Sequence, residues 1–168
     1  MTLATCAEGD LWAADVFYAS AFTPAEGLDL LFVSAPDSRH ARHMAATGRA
    51  AATISAEATR WRDIKGVQLE AGAARLGFEE IDTALEVYIT RFPWLREMLR
   101  GVVGSAGPNP QDAARGGPAL VRMEVAGRTA DVGLWRLRTA RLLFVDNSVG
   151  FAHRSEVVLA DGPSPAPS

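Results

Sequence analysis

Leu28-Asp29-Leu30-Leu31-Phe32-Val33-Ser34, followed by Ala35-Pro36-Asp37 and then Ser38-Arg39-His40-Ala41-Arg42-His43-Met44, is the stretch on which the fold turns. An apolar run ends in a Pro-Asp turn, and helical spacing starts at Ser38, so a strand hands over to a helix here. The first turn of a helix carries backbone N–H groups without partners, and its dipole favours negative charge. A Ser and an Arg delivered to that turn make an anion pocket, because a guanidinium grips two phosphate oxygens at once. The same residues also read as a cap and a wet surface: Ser38 or Asp37 capping the helix, with Arg39, Arg42 and His43 on a solvated face.

Working outward, the 168 residues suit one domain, with 1–160 as its extent and the Pro/Ser/Ala-rich 161–168 as a disordered tail. Hydrophobic residues make up 48% and charged residues 22%, the balance of a globular protein. A net charge of −3 argues against a general nucleic-acid binder, which needs a basic excess to neutralise phosphates. The single cysteine, Cys6, rules out an internal disulfide framework and points to a reducing compartment. No apolar run approaches the roughly 18 residues of a bilayer span, and no charged region precedes the apolar start, so a cytoplasmic location with no membrane partner is expected. No metal site is expected either: His40 and His43 share a helix face but lack a third ligand.

Along the chain, Met1–Cys6, Leu11–Ala19 and Leu28–Ser34 read as a β-meander with turns at Ala7–Asp10 and Thr23–Gly27. A short helix, Ser38–Thr47, precedes a small-residue strand at Arg49–Ala56. Ile64–Leu76 alternates, with Val67, Leu69 and Ala71 on one face and Gly66, Gln68, Glu70 and Gly72 on the other. Phe78–Arg100 carries apolar residues at helical spacing, with Pro93 as a breaking point. Gly101–Pro118 is a Gly/Pro-rich loop, and Leu120–Val125 and Gly133–Val145 are late strands. Many short strands with one small and one longer helix indicate a mainly β, α+β chain closing as a barrel or split barrel.

The order of these segments carries a resemblance. Thr2-Leu3-Ala4-Thr5-Cys6, Val16-Phe17-Tyr18-Ala19, Leu31-Phe32-Val33-Ser34 leading into Asp37-Ser38-Arg39-His40, and Ile64-Lys65-Gly66-Val67-Gln68-Leu69-Glu70 follow one another. Leu134-Trp135-Arg136-Leu137, Phe144-Val145-Asp146-Asn147 and Gly150-Phe151-Ala152-His153-Arg154 complete the series. Over residues 1–155 this resembles the pyridoxamine 5′-phosphate oxidase-like superfamily of FMN-binding split barrels, and most of all a small bacterial branch of it. The resemblance implies a six-stranded Greek-key split barrel, with a short helix after the third strand and one longer helix mid-chain. It also implies a homodimer with FMN at the interface, acting as a flavin-dependent oxidoreductase on a small molecule.

Carried over by position, the resemblance places the FMN phosphate at Ser34, Ser38, Arg39 and His40, and the ring or ribityl chain near Gln68 and Lys65. Ala71 stands where relatives commonly have a Gly, and three further departures from the pattern bear on cofactor and substrate. His40 stands where a Lys is usual, the second strand lacks its phosphate-binding Arg and Lys, and the substrate-binding end survives only as Phe151–Arg154. Pyridoxamine phosphate oxidation is therefore not expected. The alternatives are haem or a deazaflavin on the same barrel, with His40, His43 or His153 as an axial imidazole, or a cofactor-free binding protein. No catalytic acid or base is assigned.

Overall fold

The computed structural model describes residues 1–23, 27–103 and 119–158. The middle of the expected turn at Thr23–Gly27, most of the expected loop at Gly101–Pro118, and the expected tail at 161–168 lie outside them. Among the described residues there are ten strands: β1 (Thr2–Ala7), β2 (Asp10–Asp15), β3 (Ala19–Thr23), β4 (Gly27–Ser34), β5 (Arg49–Ser55), β6 (Lys65–Arg75), β7 (Leu99–Val103), β8 (Leu120–Val125), β9 (Arg128–Asp146) and β10 (Arg154–Glu156). The helices are α1 (Arg39–Thr47), α2 (Phe78–Arg91) and the single turn α3 (Leu95–Met98).

The strands pair antiparallel in the order β2-β1-β5-β6-β9-β4-β3, with β8 and β10 also on β9 and β7 on β8. β2 and β3 lie at opposite edges of this path, yet only Val16, Phe17 and Tyr18 separate them. Four residue steps span at most about 14 Å, so the open sheet must curl until β2 and β3 approach at this corner, a curl consistent with a split barrel.

Four expectations are corrected. The strand count is ten rather than six, and the short helix follows the fourth strand rather than the third. Leu11–Ala19 divides because its two halves pair with different strands, β2 with β1 and β3 with β4. At the break, Val16 N–H donates to the Met1 carbonyl at 3.0 Å and the Tyr88 hydroxyl to the Phe17 carbonyl at 3.2 Å. The long helix stops at Arg91, before Pro93, and strand β7, Leu99–Val103, takes in the last two residues expected as helix and the first three expected as loop.

β4 reads as a continuous apolar run because both of its faces are buried. Leu30 and Phe32 join Leu3, Ala41, Met44, Leu69, Trp135 and Leu137 in one core beneath α1, while Leu31 packs with Ile81, Tyr88 and Leu134 beneath α2. α1 starts at the Ser38 cap, whose Oγ accepts from Ala41 N–H at 3.3 Å. It ends at Gly48, where φ of +67° lets the Gly48 N–H reach the Met44 carbonyl at 2.8 Å.

Candidate functional site

The end of β4 and the start of α1 bring three of the sequence-expected residues together. Ser34 Oγ lies 2.9 Å from Ser38 Oγ and 2.6 Å from His40 Nε2, and Ser38 Oγ lies 3.2 Å from the same nitrogen. The register explains this. Ser34 is the last residue of β4, three turn residues follow, and Ser38 and His40 occupy the cap and second position of α1. His40 packs toward Phe32, with ring centroids 6.5 Å apart. Burial pulls the His40 pKa below its ordinary 6.5, and the neighbouring His43 adds to the effect, so the ring is neutral at pH 7.

Arg39 does not join this cluster. Its guanidinium turns to the other flank of α1 and forks onto Asp10 at the start of β2, with Nε donating to Oδ2 at 2.8 Å and Nη2 to Oδ1. The same guanidinium lies 4.7 Å from the centre of the Trp12 ring. His43 completes this flank, with Nε2 3.0 Å from Asp10 Oδ2 and Nδ1 3.1 Å from Thr5 Oγ1. The Arg39 hydrogen bond, above all, holds the Asp10 carboxyl below its ordinary range. Arg42 donates to the Asp37 carbonyl on the exposed surface.

Lys65 and Gln68 lie elsewhere. Lys65 Nζ donates to Asp146 Oδ2 at 3.0 Å, and Gln68 is exposed on the sheet face that α1 leaves bare. Ser34 pairs with Gly133 on β9 and Gln68 with Leu143, so the two halves are ten residue steps apart along β9, at most about 33 Å of strand. Among the described residues no hydrogen bond joins the two halves, and Gln68 lines a hollow that Ser34 and Ser38 do not. The bare face holds two adjoining apolar hollows of about 630 and 310 Å³. Ala4, Ala51 and Glu70 line both, and Gln68 lines the smaller one. Their volumes fall within the roughly 300–1,000 Å³ of small-molecule sites.

A third cavity, about 400 Å³, opens between α1 and the end of β6, lined by residues that include Pro36, Ala41, Gly48, Arg75 and Trp135. The indole Nε1–H of Trp135 is buried with no acceptor among the described residues, a state that costs about 1–3 kcal/mol. Arg75 was given no role by the sequence reading. A signal was there: positions 67, 69, 71, 73 and 75 share a face, and an Arg closes a stripe of Val, Leu, Ala and Ala.

The histidines are poorly placed as haem ligands. Both ring nitrogens of His43 are engaged, His40 Nε2 is shared between two serines, and exposed His153 lies 3.2 Å from Ser155 Oγ. Among the described residues no three His, Cys, Asp or Glu side chains cluster in a way that could hold a metal ion. No described helix is long and apolar enough to cross a membrane.

Comparison with known proteins now has a geometry to meet. No protein-family model matches the chain. It is similar to the UPF0306 protein YhbP of Salmonella paratyphi A, 28% identical over 147 residues that cover 88% of this chain and 76% of that one. The YhbP protein of Salmonella arizonae is 27% identical over 154 residues, covering 92% of this chain and 81% of its own. Among solved structures, a haem-binding protein from Mycobacterium smegmatis superposes with a TM-score of 0.59 at 19% identity over 94% of this chain. The match spans about half of that protein's length, 51%. HutZ, the haem storage protein of Vibrio cholerae, gives 0.53 at 16% identity, covering 90% of this chain and 88% of that one. A pyridoxamine 5′-phosphate oxidase-related, FMN-binding protein from Nostoc punctiforme gives 0.50 at 10% identity, covering 94% and 85%. At these identities the structural likeness shows the fold alone.

Proposed function

We propose that this chain binds FMN and serves as a flavin-dependent oxidoreductase acting on a small molecule. The observation that carries the reading is the convergence of Ser34, Ser38 and His40 within 2.6–3.2 Å of one another at the first turn of α1. Two hydroxyls and the unpaired N–H groups of a helix start are donors suited to a phosphate monoester. The orphaned Trp135 N–H beside them also calls for an acceptor-rich ligand. An FMN-binding protein of the same fold is consistent with this.

Bound FMN would supply hydride or electron transfer at its ring, and the chain would bind and orient it. Ser34 and Ser38 would hold the phosphate. Gln68, which offers both a donor and an acceptor, would meet a polar ring edge. Since one chain keeps these halves apart, the reading includes a homodimer in which a second copy covers the bare face of β1, β5 and β6.

The fold neighbours that bind haem supply the competing reading. The engaged histidine nitrogens favour the flavin over it. Titration of the purified protein with FMN, followed by quenching of flavin fluorescence, tests the choice, with sedimentation reporting the oligomeric state. Saturable micromolar or tighter binding is expected. A protein that ignores FMN and develops a Soret band with haemin overturns the proposal.

A further inference from the structure

Arg75 is the last residue of β6 and turns inward at the rim of the cavity beneath α1. Its side chain is half-buried, and among the described residues no acid pairs with it. Burial alone acts on its pKa, and lowers it. The cations nearest in sequence to the site are committed elsewhere, Arg39 to Asp10 and Arg42 to the Asp37 carbonyl. A half-buried guanidinium without a counter-charge is costly unless an anion joins it.

The register places that anion. Arg75 pairs with Trp135 across β6 and β9, and Gly133, two residues before Trp135, pairs with Ser34 across β9 and β4. A Cβ added at Gly133 would meet Arg75 Cδ at 2.8 Å and Trp135 Nε1 at 3.3 Å, so both side chains converge on the space above this glycine. Directly opposed residues of an antiparallel pair project to one face about 5 Å apart. The stem of Arg75 therefore passes about one strand spacing from Ser34, which bonds Ser38 and His40. Trp135 is only 3% exposed, and its N–H lacks an acceptor at the same point.

We propose that Arg75 is the cation of a phosphate site at the rim of this cavity, on the side where its stem passes Gly133 and faces Ser34 and Ser38, and that Arg39 plays no part in it. The inference rests on the phosphate-bearing cofactor proposed above and names the residue that supplies its positive charge. The fork of Arg75 would take two phosphate oxygens, with the serine hydroxyls and the Trp135 N–H as the remaining donors. Gly133 is part of the site because its missing side chain is the room the Arg75 stem occupies.

The test compares Arg75→Gln, which keeps the stem, and Arg75→Lys, which keeps the charge, with Arg39→Gln. The probes are FMN, riboflavin (which lacks the phosphate) and inorganic phosphate. Arg75→Gln is expected to weaken FMN binding at least about tenfold while changing riboflavin binding less than about twofold. Arg75→Lys should fall between, and Arg39→Gln should match the wild type. Phosphate should raise the melting temperature of the wild type and of Arg39→Gln but not of Arg75→Gln. If Arg39→Gln loses FMN and Arg75→Gln does not, the assignment is overturned and the FMN reading stands. If the wild type ignores FMN, that reading falls, and the phosphate melting series decides Arg75 alone: an Arg75-dependent shift upholds the site and an equal or absent shift removes it.

Discussion

The two flanks of α1 carry similar residue types and differ in how far they satisfy one another. On the flank facing β2, Arg39, His43, Asp10 and Thr5 form a closed set in which both histidine nitrogens and both carboxylate oxygens have partners. On the flank facing β6, among the described residues, Arg75 has no acid and the Trp135 N–H has no acceptor, while the Ser34 and Ser38 hydroxyls meet His40, each other and only local backbone groups, the Ala35 carbonyl and the Ala41 N–H. The basic residues most conspicuous in the sequence thus tie the β1–β2 turn to the helix. The proposed binding uses the flank that is left incomplete, because an unpaired buried donor gains from a ligand what a paired one does not.

The largest expected effect removes the floor beneath that contrast. Phe32 is fully buried and packs under His40. Phe32→Ala is expected to cost about 3–5 kcal/mol in urea denaturation. A cost below about 1 kcal/mol would show that the core under α1 does not hold the site in place.

Next comes Gly133→Ala, which acts on one flank only. Its Cβ would lie 2.8 Å from Arg75 Cδ, so the flexible stem must move. FMN affinity is expected to drop about three- to tenfold with little change for riboflavin, a difference of roughly 1 kcal/mol read by fluorescence titration. Equal losses for both ligands would mean that the alanine distorts the barrel rather than displacing Arg75.

Ser38→Ala removes a cap and a proposed phosphate donor together. A loss of about 1 kcal/mol in stability is expected from the cap alone. A matching weakening for FMN, and not for riboflavin, separates the two roles of the hydroxyl.

The smallest effect tests the closed flank. Asp10→Asn is expected to leave FMN affinity unchanged and to lower the melting temperature slightly at neutral pH. The Arg39 hydrogen bond keeps the Asp10 carboxyl below its ordinary 3.8. A depressed acid contributes stability above its unfolded pKa and loses it as pH falls through the folded one. The gap between wild type and Asp10→Asn should therefore be full above about pH 4 and close at lower pH. A gap that persists at pH 2 would assign it to something other than this charge.

Much of the fold was legible because local signals and burial agree. The apolar β4, the Ser38 cap, the alternation of β6 and the helical spacing of α2 each follow from composition and period. What escaped was non-local. Val16–Tyr18 breaks a run that reads as one strand from its apolar residues, since only pairing shows that β2 and β3 belong to opposite edges. The last long strand reads from Gly133, yet β9 begins at Arg128 and pairs with β8, and Asp131 accepts from Arg122 across that ladder at 2.8 Å. In the site, the sequence brings Ser34, Ser38 and His40 close through one short turn. It could not show that Arg39 meets Asp10, 29 residues away. Nor could it show that Arg75 reaches Gly133 through a register fixed by β9.

The most direct measurement is a crystal structure of the chain with FMN bound. The account predicts phosphate oxygens bonded to the Arg75 guanidinium and to Ser34 and Ser38, with the Arg39–Asp10 fork intact. A phosphate held by Arg39, with Asp10 displaced and Arg75 uninvolved, would contradict it.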